Sequence, residues 1–141
     1  MVNPSDIQRQ CFEAWNSRDF EKMKKLFHNS YTYTGPDGRE QTGPEAGLKA
    51  ARMWANAFPD GKIEIRTQLT QGNIAVCEFM GRGTHRGELL GVKPTGKSVE
   101  IHVCNVIEVR DGKIYREREY LDMLALMANL GAVNLPGPKA A

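Results

Sequence analysis

Asp122 is the residue whose setting suits acid/base chemistry. It stands in Tyr120-Leu121-Asp122-Met123, where a strand gives way to a helix. A carboxyl facing an apolar pocket at such a junction has its pKa raised towards that of a working acid or base. The position suits an N-cap equally, because an Asp oxygen there accepts from backbone N–H groups two or three residues on, and that reading stays open beside the catalytic one. The turn around Asp111-Gly112 decides which residues face Asp122. A three-residue loop, the closure we adopt, places His102 and Cys104 on the face of Asp122, Tyr120 and Arg118; a two-residue loop gives that face to Asn105, Val103 and Ile101. His102 is thus a conditional partner of Asp122, its other reading being a polar residue on a solvent-facing or subunit-facing side. His85, in Gly83-Thr84-His85-Arg86-Gly87, either projects into a pocket mouth or lies on an exposed loop. The run Arg116-Glu117-Arg118-Glu119 alternates charge, so strand geometry turns one like-charged pair inward. If that pair is Arg116 and Arg118, it suits an anionic or carbonyl-rich ligand.

Other chemistries find no support. No GxSxG, GxGxxG, GxxxxGK[ST] or HExxH motif occurs. Cys11, Cys77 and Cys104 form no CxxC pair and read as small buried hydrophobes. His28, His85 and His102 show no ligand spacing, so neither a metal nor a cofactor is expected. Nineteen basic against seventeen acidic residues leave a net charge of +2 with no long basic run, which argues against a nucleic-acid partner. No apolar stretch approaches the ~20 residues of a membrane span, and the first residues lack a basic, apolar leader pattern, so a soluble, unexported, cytoplasmic protein is expected.

The elements that must position these residues change period along the chain. Ile7, Cys11, Ala14 and Trp15 share one helix face, with Ser5 as the expected N-cap. Asp19 caps a second short helix with an apolar stripe of Phe20, Met23, Leu26 and Phe27. Tyr31 to Thr34 reads as a short strand before the turn Gly35-Pro36-Asp37-Gly38. Pro44 opens a third helix that Pro59 stops. From Lys62 the pattern alternates: Ile63 to Leu69, a hairpin at Gly72-Asn73, Ile74 to His85, Val99 to Val109, and Ile114 to Tyr120. A last helix carries Met123, Leu126, Met127 and Leu130 and ends at Gly131, leaving residues 132–141 as a frayed tail. Helices followed by a meander indicate an α+β fold, a single domain over residues 1–141 in which helices cover one face of a curved antiparallel sheet around an internal pocket. Trp15, Tyr31, Tyr33, Trp54 and Phe58 are core aromatics, some of which can also line such a pocket. The apolar side left by Val99 to Val109 predicts a homodimer or homotetramer.

Phe58-Pro59-Asp60, Gly83-Thr84-His85-x-Gly87-Glu88-Leu89-x-Gly91-Val92-Lys93-Pro94-Thr95-Gly96-Lys97, Asp111-Gly112-Lys113-Ile114, Tyr120-x-Asp122 and Leu130-Gly131 together resemble the SnoaL-like polyketide cyclases, or ester cyclases. The resemblance runs from about residue 58 to 131. It implies a nuclear-transport-factor-2-like cone and a cofactor-free intramolecular aldol cyclisation of an aromatic polyketide methyl ester. It also implies that Asp122 is the acid/base, with His102 or Arg118 at the developing oxyanion and His85, Tyr120, Trp15, Tyr33, Trp54 and Phe58 around a small hydrophobic substrate. The chain departs from the family where many members carry Glu then Trp or His and this one has Arg116, Glu117 and Arg118. Asn129 likewise replaces the usual Gln. The alternatives are a related isomerase, an epoxide hydrolase, which needs a facing pair of carboxylates with an Asn or Tyr, and a non-catalytic small-molecule-binding domain.

Overall fold

The computed structural model describes residues 2–137. Its first helix, α1 (Pro4–Asn16), is capped by Asn3, whose Oδ1 accepts the Ser5 N–H at 2.9 Å. Ser5, the expected cap, is instead a buried first-turn residue whose hydroxyl meets Thr70 Oγ1. Ile7, Cys11, Ala14 and Trp15 are buried as their spacing predicts. Asp19 caps α2 (Phe20–Lys25) by accepting the Lys22 N–H at 3.0 Å. That helix ends sooner than its apolar stripe suggests. Phe27 already belongs to β1 (Phe27–Thr34), where it is buried and stacks on Tyr31 at 4.2 Å. The strand β2 (Glu40–Thr42) and the helix α3 (Pro44–Ala57) follow, with Pro44 in the first turn.

Gly47 of α3 lies against Tyr31. A Cβ there would sit 2.7 Å from the Tyr31 Cε1 and hydroxyl, and 2.8 Å from Phe27. Gly47→Ala is therefore expected to lower stability by roughly 1–3 kcal/mol in urea denaturation, despite alanine's better helix propensity, because the Tyr31 ring must move. A neutral or stabilising result would mean that the ring yields freely.

The sheet consists of β1, β2, β3 (Lys62–Gln71), β4 (Ile74–Thr84), β5 (Ser98–Arg110) and β6 (Lys113–Leu121), in the order β2-β1-β6-β5-β4-β3. It is curved and does not close, and the helices α1, α2 and α3 bury their apolar faces against one side of it. Most pairs are antiparallel as expected, but β1 runs parallel to β6, with Tyr33 opposite Glu117. The hairpin at Gly72-Asn73 forms as read, with Gly72 at φ +60°. A bulge between Ile65 and Thr67 then interrupts the alternation of β3: Ile63 and Ile65 face the core, but Leu69 is turned out to 65% exposure.

The turn from β5 to β6 corrects the expected register. Asp111 and Gly112 form a two-residue loop, both at positive φ, with Arg110 opposite Lys113. A bulge at Tyr115 then shifts the pairing by one residue. Cys104 thereby ends opposite Tyr120 and Val106 opposite Arg118, so His102, Cys104, Arg118 and Tyr120 do share a face. It is the face turned away from the helices, whereas Val103, Asn105 and Ile107 point inward with Glu117 and Glu119. The last element among the described residues is α4 (Met123–Asn129). Gly131, at φ +77°, donates to the Ala128 carbonyl and Ala132 to that of Met127, a Schellman closure that explains the glycine. Part of the expected frayed tail, residues 138–141, lies outside the described residues.

Candidate active site

The sheet and helices enclose a cavity walled by Phe12, Trp15, Trp54, Phe58 and Phe79, with Tyr33, Glu117 and Glu119 as one polar side and Lys62 and Arg82 also on its lining. Each wall residue is held by its own element. Trp15 projects from α1 and donates its indole N–H to the Ala51 carbonyl of α3 at 3.0 Å. The Arg18 guanidinium lies over the Trp15 ring at 4.1 Å and donates to the carbonyls of Pro59 and Gly61, both at 3.0 Å. It thereby ties the end of α1 to the chain beyond Phe58. Trp54 and Phe58 come from the last turns of α3, their rings 6.3 Å apart and nearly parallel.

The polar side is built by two strands whose paired residues match. Tyr31 and Tyr33 sit two apart on β1 and Glu117 and Glu119 two apart on β6, so both pairs face inward. The Tyr31 hydroxyl donates to Glu117 Oε1 at 2.5 Å and the Tyr33 hydroxyl to Glu119 Oε1 at 2.9 Å. From β5, the Asn105 amide donates to Glu117 Oε2 at 2.8 Å and to Glu119 Oε2 at 3.2 Å. Among the described residues no Lys, Arg or His forms an ion pair with either carboxylate.

Burial dominates the electrostatics. It pushes Glu117 up, against the hydrogen bonds of Tyr31 and Asn105. Burial and then the charge of Glu117 push Glu119 up to about 7, against the hydrogen bonds of Tyr33 and Asn105. The same burial, reinforced by the glutamates, raises Tyr31, Tyr33 and Cys11, so these groups stay protonated at neutral pH. Two carboxyls bridged by one amide, one of them titrating near neutrality, can take a proton from a bound molecule and return it. Among the described residues no group of three His, Cys, Asp or Glu side chains is placed to hold a metal ion, and no helix is long and apolar enough to cross a membrane.

The structure distributes the expected site residues unevenly. Trp15, Tyr33, Trp54 and Phe58 all line the cavity. His102 and Tyr120 do not: they line a groove with Arg66 and Glu78 on the opposite face, to which Arg118 also belongs by register. His85 is fully buried rather than at a pocket mouth or on an exposed loop. Its Nδ1 accepts the Thr95 N–H at 3.2 Å and its ring lies 5.7 Å from Phe58, so it fastens the loop after β4 while its Nε2 has no partner among the described residues. Asp122 lies outside the cavity lining and caps α4, accepting the Ala125 N–H at 2.9 Å. The fully buried Gln8 was not singled out from the sequence; Tyr31 stood there only among the core aromatics, Asn105 only in the two-residue-loop alternative, and Glu117 and Glu119 only as the other half of the alternating charge run. The usable signal was the match of Tyr-x-Tyr on one strand with Glu-x-Glu on another. The inward pair of the alternating run is the glutamates, which two tyrosines and an amide supply with donors, and not Arg116 and Arg118.

Residues 5–130 match the family described as SnoaL-like polyketide cyclase. The chain is 27% identical over 134 residues to the aklanonic acid methyl ester cyclase DnrD of Streptomyces peucetius, covering 93% of this chain and 92% of DnrD. Among solved structures, IdmH of Streptomyces antibioticus, whose description proposes a polyketide cyclase, superposes with a TM-score of 0.80 at 28% identity, covering 91% of this chain and 98% of that one. A SnoaL-like protein of Jannaschia sp. CCS1 superposes with a TM-score of 0.86 at 19% identity, over 93% of each chain, and speaks to the fold alone.

Proposed function

Since the chain belongs to the SnoaL-like polyketide cyclase family, we propose that it closes a ring in an aromatic polyketide ester by intramolecular aldol addition, with Glu119 as the acid/base group. The observation that carries this reading is the carboxyl pair, supplied with hydroxyl and amide donors, at the polar side of an aromatic-walled cavity. A carbon flanked by an ester and a ketone carbonyl is acidic because its enolate is delocalised. Glu119, ionised in part near pH 7, takes that proton. The enolate carbon then bonds to a second carbonyl of the same molecule, whose C=O becomes an alkoxide. The proton held by Glu119 returns to that oxygen, so the product is an isomer of the substrate and no other reactant is consumed. Once Glu119 holds the proton, the Tyr33 hydroxyl that donates to its carboxylate is released to donate to the developing oxyanion. The flat walls of Trp15, Trp54 and Phe58 hold the folded side chain in an attack geometry. The protein acts, in this reading, as a cytoplasmic homodimer or tetramer, supported by an outer sheet face that leaves Cys104, Val106 and Tyr120 partly or fully exposed.

A panel of aromatic polyketide methyl esters, followed by chromatography for a product of unchanged mass, tests the proposal. Ring closure of at least one supports it, and failure across the panel overturns it. The panel should include an aryl epoxide, because a carboxyl pair bridged by Asn105 and flanked by tyrosines also suits activation of water. Gain of one water by that compound alone would replace cyclisation with hydrolysis.

A further inference from the structure

The carboxyl pair is reached from the protein surface by an unbroken chain of side-chain amides, and each amide in it can point only one way. At the outer end, Gln68 Nε2 donates to the Ser5 carbonyl at 2.8 Å while its Oε1 accepts from the Arg9 guanidinium at 3.2 Å. A carbonyl cannot donate and a guanidinium cannot accept, so this amide cannot be reversed. Gln68 Nε2 also donates to Gln8 Oε1 at 3.0 Å. That turns Gln8 Nε2 towards Asn105, where it donates to Oδ1 at 2.9 Å and to the backbone carbonyl at 3.1 Å. Reversing Gln8 would set oxygen against that backbone oxygen. With its Oδ1 so occupied, Asn105 has only its NH2 to offer the pair, one hydrogen to each glutamate. The bulge in β3 is what turns Gln68 inward to start the relay. Gln8 and Asn105 are 1% and 0% exposed, so water does not supply alternatives.

We propose that Gln8 and Asn105 are positioning residues, a polarised amide relay that fixes an N–H donor between Glu117 and Glu119 and so allows Glu119 to bear a negative charge inside the cavity. This rests on Glu119 being the acid/base group of the proposed reaction. The other titratable groups around Glu119 are Glu117 on its own strand, whose charge opposes ionisation, Tyr33 from β1, whose hydroxyl favours it, and Tyr31 from β1 and Cys11 from α1, both kept protonated by burial; Lys62 of β3 and Arg82 of β4 line the same cavity without forming an ion pair with either glutamate, which leaves the relay and the Tyr33 hydroxyl as the hydrogen-bond donors that favour ionisation. A purely structural role for Gln8 would make the direction of its amide immaterial.

Carbon-13 titration of the glutamate carboxyls in the ligand-free protein tests the relay. Asn105→Leu removes the donor outright and should raise the Glu119 midpoint by roughly one pH unit. Gln8→Met keeps the shape but frees the Asn105 amide to turn over, and should raise it by roughly half a unit. Should Asn105→Leu fail to fold, Gln8→Met carries the test alone. A Glu119 midpoint unmoved in folded Gln8→Met, with only the melting temperature lowered, overturns the proposal. No substrate is needed, so the two ideas fail separately. An unmoved midpoint in a protein that closes rings removes the relay alone, and a moved midpoint in one that closes none removes the reaction alone.

Discussion

Glu119→Gln is expected to lower ring-closure turnover by roughly 10²–10⁴-fold, the usual contribution of a positioned acid/base group, with little change in stability at pH 5.5. Glutamine keeps the shape and can turn its carbonyl towards the Asn105 amide while offering its NH2 to the Tyr33 oxygen, but it cannot accept a proton from carbon. Asp122→Ala should do the reverse. Its carboxylate holds the Ala125 N–H at the start of α4, so its loss costs roughly 1 kcal/mol while turnover stays within a factor of a few. The contrast matters because the family resemblance points to Asp122 and the geometry of the cavity points to Glu119. Turnover, initial-rate and urea measurements on the two variants decide between them. If Asp122→Ala abolishes turnover at unchanged stability and Glu119→Gln does not, the acid/base role returns to Asp122.

The fold was legible wherever local physics acts alone. The Asp19 cap, Pro44 in a first turn, the hairpin at Gly72-Asn73 and the Gly131 closure all follow from what one side chain can do for its own backbone. The aromatic half of the cavity was legible for the same reason, since Trp15, Tyr33, Trp54 and Phe58 have few places to go but inward. The polar half depended on which face of a strand looks inward, and one extra residue decides that. A bulge at Tyr115, invisible in the alternation itself, restored the expected grouping of His102 with Arg118 and Tyr120 yet left that group on the outside. The parallel pairing of β1 with β6, which brings Tyr33 beside Glu117, joins segments more than eighty residues apart and has no local signature. The glutamates were visible as charges in a run, but only a partner strand could show that they, rather than the arginines beside them, have donors waiting inside.

A glutamate facing the cavity with a raised pKa also makes the fold itself sensitive to pH, in a direction opposite to that of most carboxylates. Below about 4.5, the ordinary value, Glu119 is protonated in both the native and the unfolded chain and contributes no slope. Between 4.5 and about 7 the unfolded chain releases that proton while the native protein retains it, so the native state binds more protons and stability falls as pH rises. Above the native value both states are ionised and the fall ends. The interval of roughly 2.5 units, at about 1.4 kcal/mol per unit, sets a ceiling of roughly 3 kcal/mol, lowered by whatever water enters the cavity. The depressed carboxylates act in a separate window. Asp60, held down by the hydrogen bonds of Thr84, and Glu45, held down by Lys24, favour the fold above their unfolded values and lose that contribution only as pH falls below them. Stability should therefore peak near pH 5 and decline towards pH 8. Urea denaturation at pH 5.5 and 8 should show wild type losing roughly 2 kcal/mol over that range. Glu119→Gln should lose much less and be the more stable of the two at pH 8, with the residual slope belonging to Glu117, which burial also raises. Wild-type stability that is level or rising between those pH values would mean that Glu119 is ionised throughout, which would remove the neutral-pH acid/base group from the cavity.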